Sequence, residues 1–181
     1  EIAARANRLK DKGPEADSKL AALQACLKKA EFHELKDGRG KLLLFTEHRD
    51  TMTYLRDHLD KWGYSTCEIH GGMNPHERKQ AQEAFRVSRQ ICVATEAAGE
   101  GINLQFCHLM INYDLPWNPT RLEQRLGRIH RIGQERECHA YNFVAAESEE
   151  GQPIIEGRIL ARLLEKIRAH GGVLFWTGEQ I

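Results

Sequence analysis

The chain has 181 residues, enough for one domain with a sizeable core and too few for two full ones. Hydrophobic residues make up 41% and charged residues 29%, with 26 Lys and Arg against 26 Asp and Glu. A net charge of zero excludes neither nucleic acid nor any other partner, because the placement of charge decides that. No apolar run nears the roughly 20 residues that cross a bilayer, and the polar opening from Glu1 to Arg5 is unlike a secretory signal.

In chain order, residues 1–16 are charged and end at Gly13-Pro14, which reads as a linker or the tail of a helix; with no initiator Met, an excised fragment is expected. Asp17 and Ser18 offer an N-cap to one amphipathic helix with Leu20, Leu23, Ala25, Leu27 and Phe32 on its apolar side. The run from Asp37 to Gly40 breaks it. Residues 41–46 (KLLLFT) form a continuous apolar run, the mark of a strand buried on both faces. A helix is predicted over 49–62, a strand over 65–70, and a helix opened by Pro75 that runs to Phe85. Further strands are predicted over 89–95, 107–113 and 138–144, with a helix capped by Asn118 or Thr120 between the last two, reaching about Ile129. Alternation at this spacing predicts a mostly parallel sheet with helices on both faces. After an acidic stretch over 146–153, Ile155, Ile159, Leu163 and Ile167 repeat at four-residue intervals, predicting a final helix over 154–170.

Five cysteines at wide spacings predict no disulfide framework and fit a reduced compartment. Cys67, Cys92 and Cys107 fall in strand-like runs as small buried hydrophobes. The nine histidines form no tight set with cysteines, so no metal site is expected.

Two stretches carry chemistry. Arg121, Arg125, Arg128, Arg131 and Arg136 crowd sixteen residues that hold only Glu123 and Glu135 as opposing charge. Arg125, Arg128 and Arg131 recur every third residue, so on a helix they drift slowly around one side. Guanidinium groups held together repel unless an anion lies among them, and their planar donors match phosphate oxygens. Residues 94–105 (ATEAAGEGINLQ) leave a strand at Thr95 and pass Gly99-Glu100-Gly101, where glycines let backbone N–H groups approach a phosphate or ribose. Loops at strand ends of an open parallel sheet are where ligands bind.

Taken in order, KLLLFTEH (41–48), HGGM (70–73) with Glu77-Arg78, ATEAAGEGINLQ, YDLPWNP (113–119) and QRLGRIHRIGQ (124–134) resemble the C-terminal RecA-like lobe of superfamily-two helicases. The Trp117-Asn118-Pro119 turn and the Arg131-Ile132-Gly133-Gln134 ending resemble the Swi/Snf-type translocase branch, and the wording is similar to bacterial members such as the RNA-polymerase-associated remodeller.

The resemblance covers residues 17–170 and implies a division into a linker (1–16), the RecA-like lobe (17–145), and a loop, brace helix and tail (146–181). It implies an ATP-driven DNA motor, with RNA as the alternative track, working in the bacterial cytoplasm or nucleoid. ATP and Mg²⁺ would be held mainly by an N-terminal RecA-like lobe; this chain has neither a phosphate loop nor an Asp-Glu-x-His motif. By resemblance Arg128 and Arg131 are arginine fingers, Gln124 couples nucleotide to nucleic acid, and Gly99, Glu100 and Gly101 lie near the nucleotide. Thr46, Gly71, Gly72, Thr95 and Asn103 match positions that contact a nucleic-acid backbone, and the fragment alone is expected to be inactive. The rival expectations are a non-catalytic nucleic-acid-binding module and a DEAD-box-type RNA helicase lobe.

Overall fold

The computed structural model describes residues 18–95, 103–116, 118–130 and 132–143. Five strands form one sheet: β1 (Leu42–Thr46), β2 (Thr66–Ile69), β3 (Ile91–Thr95), β4 (Leu109–Asn112) and β5 (His139–Asn142). Their spatial order is β2-β3-β1-β4-β5, and every pairing is parallel. The predicted strands are all present, each trimmed by a few residues at its ends.

β1 is central because it can be. Every residue of Leu42–Thr46 is buried, and side chains alternate, so Leu42 and Leu44 enter one core while Leu43 and Phe45 enter the other. Helices α1 (Ser18–Cys26) and α3 (Arg49–Lys61) cover the first face through Leu20, Leu23, Met52, Leu55 and Leu59. On the second, α4 (Pro75–Val87) contributes Phe85, joined by Leu104 and Ile129. The result is the three-layer α/β arrangement expected.

α4 begins on a full capping box. The Asn74 side chain accepts from the Glu77 N–H at 2.9 Å, the Glu77 carboxylate accepts from the Asn74 N–H at 2.8 Å, and Pro75 occupies the first turn, where its missing N–H costs nothing.

The single N-terminal helix is a correction. α1 stops at Cys26, Lys29 turns extended (φ −65, ψ 159), and a 3₁₀ turn (Ala30–Phe32) and the short α2 (His33–Lys36) follow. Leu20, Leu23 and Leu27 share a helical stripe, but Phe32 and Leu35 reach the same core only if the chain re-aims after Lys29. Ala25 is exposed, and Cys26 takes the buried place instead. The linker (1–16), the loop over 146–153 and the brace helix over 154–170 lie outside the described residues.

Cys26, Cys92 and Cys107 are buried and Cys67 and Cys138 half-buried, all as free thiols. Burial pushes Cys107 up to about 12, so it stays a protonated, inert core group.

Candidate nucleotide and nucleic-acid site

The chain runs from β1 out to β2, returns to β3 beside β1, then crosses to β4 on the other flank. The strand order therefore reverses around the C-terminal end of β1, the place where open α/β sheets form a ligand crevice. Thr46 and Thr95 are register partners at that edge. Both face inward. Thr46 is fully buried, and its hydroxyl donates to Asp114 Oδ2 at 2.5 Å, the same oxygen that accepts from the Glu47 N–H at 3.2 Å. The Thr46 hydroxyl, expected to face a phosphate, is thus engaged within the lobe; its service there is to fix the direction of the backbone entering Glu47 to Arg49.

The β2 end is organised by a histidine. The Gly72 N–H donates to His70 Nδ1 at 3.1 Å, while Arg78 donates from Nη2 to the Gly71 carbonyl (3.2 Å) and from Nε to the Met73 carbonyl (3.1 Å). A Cβ at Gly72 would lie 3.2 Å from His70 Nδ1 and 3.4 Å from Arg49 Nη1, so glycine is the residue that lets this turn close. Gly71 and Gly72 themselves are exposed.

Helix α5 (Pro119–Leu126) opens with Asn118, whose side chain accepts from the Thr120 N–H at 3.1 Å, as expected. It presents Gln124 to solvent. Arg125 is the correction to the arginine cluster. Only 3% exposed, it donates from Nη1 to Asn112 Oδ1 (3.0 Å) and to the Asp114 carbonyl (2.9 Å), with its guanidinium 5.0 Å from the centre of the Phe45 ring. It is a fastener between helix and sheet. Arg136 also leaves the cluster, pairing with Glu34 at 2.5 Å at the opposite edge of the sheet.

Arg128 is half-buried, and among the described residues it makes no ion pair. Its backbone is tied down: the Leu104 N–H donates to the Arg128 carbonyl at 3.1 Å. Gln105 extends the tie, donating from Nε2 to the Ile132 carbonyl at 2.7 Å. Asn103 supports Gln105 twice, its Oδ1 accepting from the Gln105 N–H (3.2 Å) and its Nδ2 donating to Gln105 Oε1 (3.2 Å). Gln134 closes the unit from the other side, with Nε2 within 2.8 Å of the Gln105 carbonyl, 3.0 Å of that of Ile129 and 3.2 Å of that of Cys107. Gly133 makes the turn before it in the left-handed region (φ 93), where a side chain would be strained. Ile132 projects fully into solvent. Arg131, Gly99, Glu100 and Gly101 lie outside the described residues.

Two of these residues escaped the sequence reading, Asn112 and Gln105, and Gln134 entered it only as part of a motif's ending. Asn112 carried a signal, being the polar residue inside the apolar run of β4, where it must find partners; it also donates to Asn142 Oδ1 at 2.8 Å.

An all-parallel sheet with a switch point beside β1, and an Arg128-bearing segment bonded to the chain entering β4, define an α/β lobe of the kind that binds ligands at its strand ends. The chain belongs to the family described as "Helicase conserved C-terminal domain", which matches residues 18–133. It is 50% identical over 127 residues to "Uncharacterized ATP-dependent helicase YqhH" of Bacillus subtilis, covering 70% of this chain and 22% of that protein. To "Helicase SWR1" of Candida glabrata it is 33% identical over 149 residues, 81% of this chain and 10% of that one. The crystal structure of the C-terminal part of the Fun30 ATPase domain matches with a TM-score of 0.68 at 25% identity, over 79% of this chain and 44% of that one. The fold is RecA-like and the relatives are Swi/Snf-type superfamily-two helicases. The chain spans about a fifth of the length of the first of these relatives and a tenth of the second.

Proposed function

We propose that this lobe is the second half of an ATP-dependent DNA translocase of Swi/Snf type, active only against an N-terminal RecA-like lobe. The observation that carries the reading is the bonded unit of Asn103, Leu104, Gln105, Arg128 and Ile132, because it joins a strand-end loop to the loop that bears Arg128 and Arg131. A shift of either loop is felt by the other.

ATP with Mg²⁺, held mainly by the first lobe, supplies the phosphoanhydride whose cleavage drives the cycle. Arg128 suits the phosphate side of that site, since it is half-buried and makes no ion pair among the described residues. With Arg131 it would place positive charge where negative charge builds up during phosphoryl transfer. Gln124, exposed on the last full turns of α5, sits beside it, and Gly99, Glu100 and Gly101 would border the ribose and phosphates. Gly71, Gly72 and Asn103 would follow one nucleic-acid backbone, with Thr46 and Thr95 holding the strand ends from inside. Backbone contacts of this kind position a strand without reading its sequence. Lobe closure and release would then move the grip along the strand. We also expect the motor to work in the cytoplasm or nucleoid.

In the full-length motor, Arg131→Ala and Arg128→Ala should each cut ATP turnover by about 10³-fold or more while ATP affinity changes only a few-fold. Turnover within tenfold of the parent in both variants would overturn the assignment of fingers. The 181-residue chain alone should show no turnover above buffer.

A further inference from the structure

Four of the five thiols lie on one side of the sheet. Cys67, Cys92, Cys107 and Cys138 pack in the core beneath α4, while Cys26 sits in the opposite one. Their surroundings differ. Cys107 Sγ is turned to the carbonyls of Lys41 (3.1 Å) and Leu109 (3.2 Å), and Cys138 Sγ lies 3.9 Å from the Arg136 carbonyl. Cys67 and Cys92 face each other instead.

Cys67 of β2 and Cys92 of β3 are register partners in a parallel pairing, so both side chains leave the sheet on the same face. Neighbouring strands run about 4.8 Å apart, within the Cα separation that a disulfide spans. The two thiols already share a hydrogen bond. That bond first, and burial second, hold the Cys92 thiol well above the ordinary cysteine range. Access is graded across the pair, for Cys92 is fully buried and Cys67 half-buried. An oxidant therefore meets Cys67 first, with a second sulfur waiting behind it. An accessible thiol beside a resolving one is the arrangement from which reversible disulfides form.

We infer that Cys67 and Cys92 form an oxidation site, at which hydrogen peroxide joins β2 to β3 through a disulfide. The Cys67 sulfur attacks one peroxide oxygen, the O–O bond breaks, and the products are a Cys67 sulfenic acid and water. The Cys92 sulfur then displaces the hydroxyl group to form the S–S bond, and its proton leaves with that hydroxyl as a second water. The two thiols together lose two electrons, and the peroxide is reduced to water. A protonated Cys92 slows the second step, but its contact with Cys67 spares it any diffusion. β2 is the edge strand and pairs with β3 alone among the described strands, so the bond staples that edge of the sheet just before the His70 turn. A dithiol reductant reverses it. The site needs neither ATP nor nucleic acid.

The test treats the folded 181-residue chain with a small excess of hydrogen peroxide and then alkylates the remaining thiols in denaturant. Digestion with trypsin and chymotrypsin separates Cys92 from Cys107 at Phe106, and mass spectrometry reads the joined peptides. The count of free thiols should fall from five to three, with the Cys67 and Cys92 peptides linked, and dithiothreitol should restore all five. Cys67→Ser should keep its other thiols free under the same treatment. Survival of all five thiols, a Cys67 sulfinic acid beside an unlinked Cys92, or a link between any other pair would overturn the inference.

Discussion

The two edges of the sheet are built from the same strands and treat charge in opposite ways. At the C-terminal edge Arg49 is exposed with no ion-pair partner among the described residues, and the glycine turn leaves backbone exposed. At the N-terminal edge the cation is paired and carboxylates outnumber it. Arg136 is bound to Glu34, and a cavity of about 480 Å³ is lined by these two with Glu31, Glu135, Glu137, His108 and His139. One edge leaves a cation open to solvent, while the other satisfies its cation at home. The contrast is the one expected if the C-terminal edge is the working end and the N-terminal edge the stabilising one, the division commonly seen in α/β folds.

That contrast can be broken first at Arg125, the fastener between α5 and the sheet. Arg125→Met would leave Asn112 Oδ1 and the Asp114 carbonyl without their buried donor, and should cost about 3 kcal/mol of unfolding free energy in a urea titration. Loss under about 1 kcal/mol would mean that the guanidinium is a passenger in the core.

A smaller effect is expected from pH at the N-terminal edge. Burial, and then the Arg136 charge, hold His108 below the ordinary histidine value of 6.5, and its Nδ1 is buried with no hydrogen-bond partner among the described residues. The native state therefore binds fewer protons than the unfolded chain just below that value, so stability is full at neutral pH and falls as the solution is acidified through it. His108→Gln should flatten the drop in melting temperature between pH 7.5 and 5.5. An unchanged drop would assign the acid sensitivity elsewhere.

The smallest effect belongs to the Glu34–Arg136 pair, whose side chains are 33% and 46% exposed. The hydrogen bond from Arg136 pulls the Glu34 carboxyl below the usual carboxylate range, but water and salt screen such a pair. Glu34→Gln should cost no more than about 1 kcal/mol, and it should leave nucleic-acid binding by the chain unchanged. A marked loss of binding would erase the distinction between the edges.

Much of the fold was legible because burial writes itself into β1, β3 and β4 as continuous apolar runs, and Pro75, Asn118 and Gly63 punctuate the helices. The break after Cys26 was not, since apolar spacing from Leu20 to Phe32 continues across it; only the shared core shows that the chain must re-aim. At the site, three-residue spacing placed the arginines near one another but could not say which side of α5 faces the sheet. Phe45 and Asn112 decide that for Arg125, and both are distant in sequence. Gln105 and Gln134 act through carbonyl groups, which leave no trace in residue type.

Gln134 offers one amide nitrogen, with two hydrogens, to three carbonyl oxygens within 3.2 Å. At any instant one acceptor must share or wait. Ile129 belongs to the arginine segment and Gln105 and Cys107 to the chain entering β4, so this single amide staples the segment to itself and to its neighbour at once, and any slide between the two must surrender a bond.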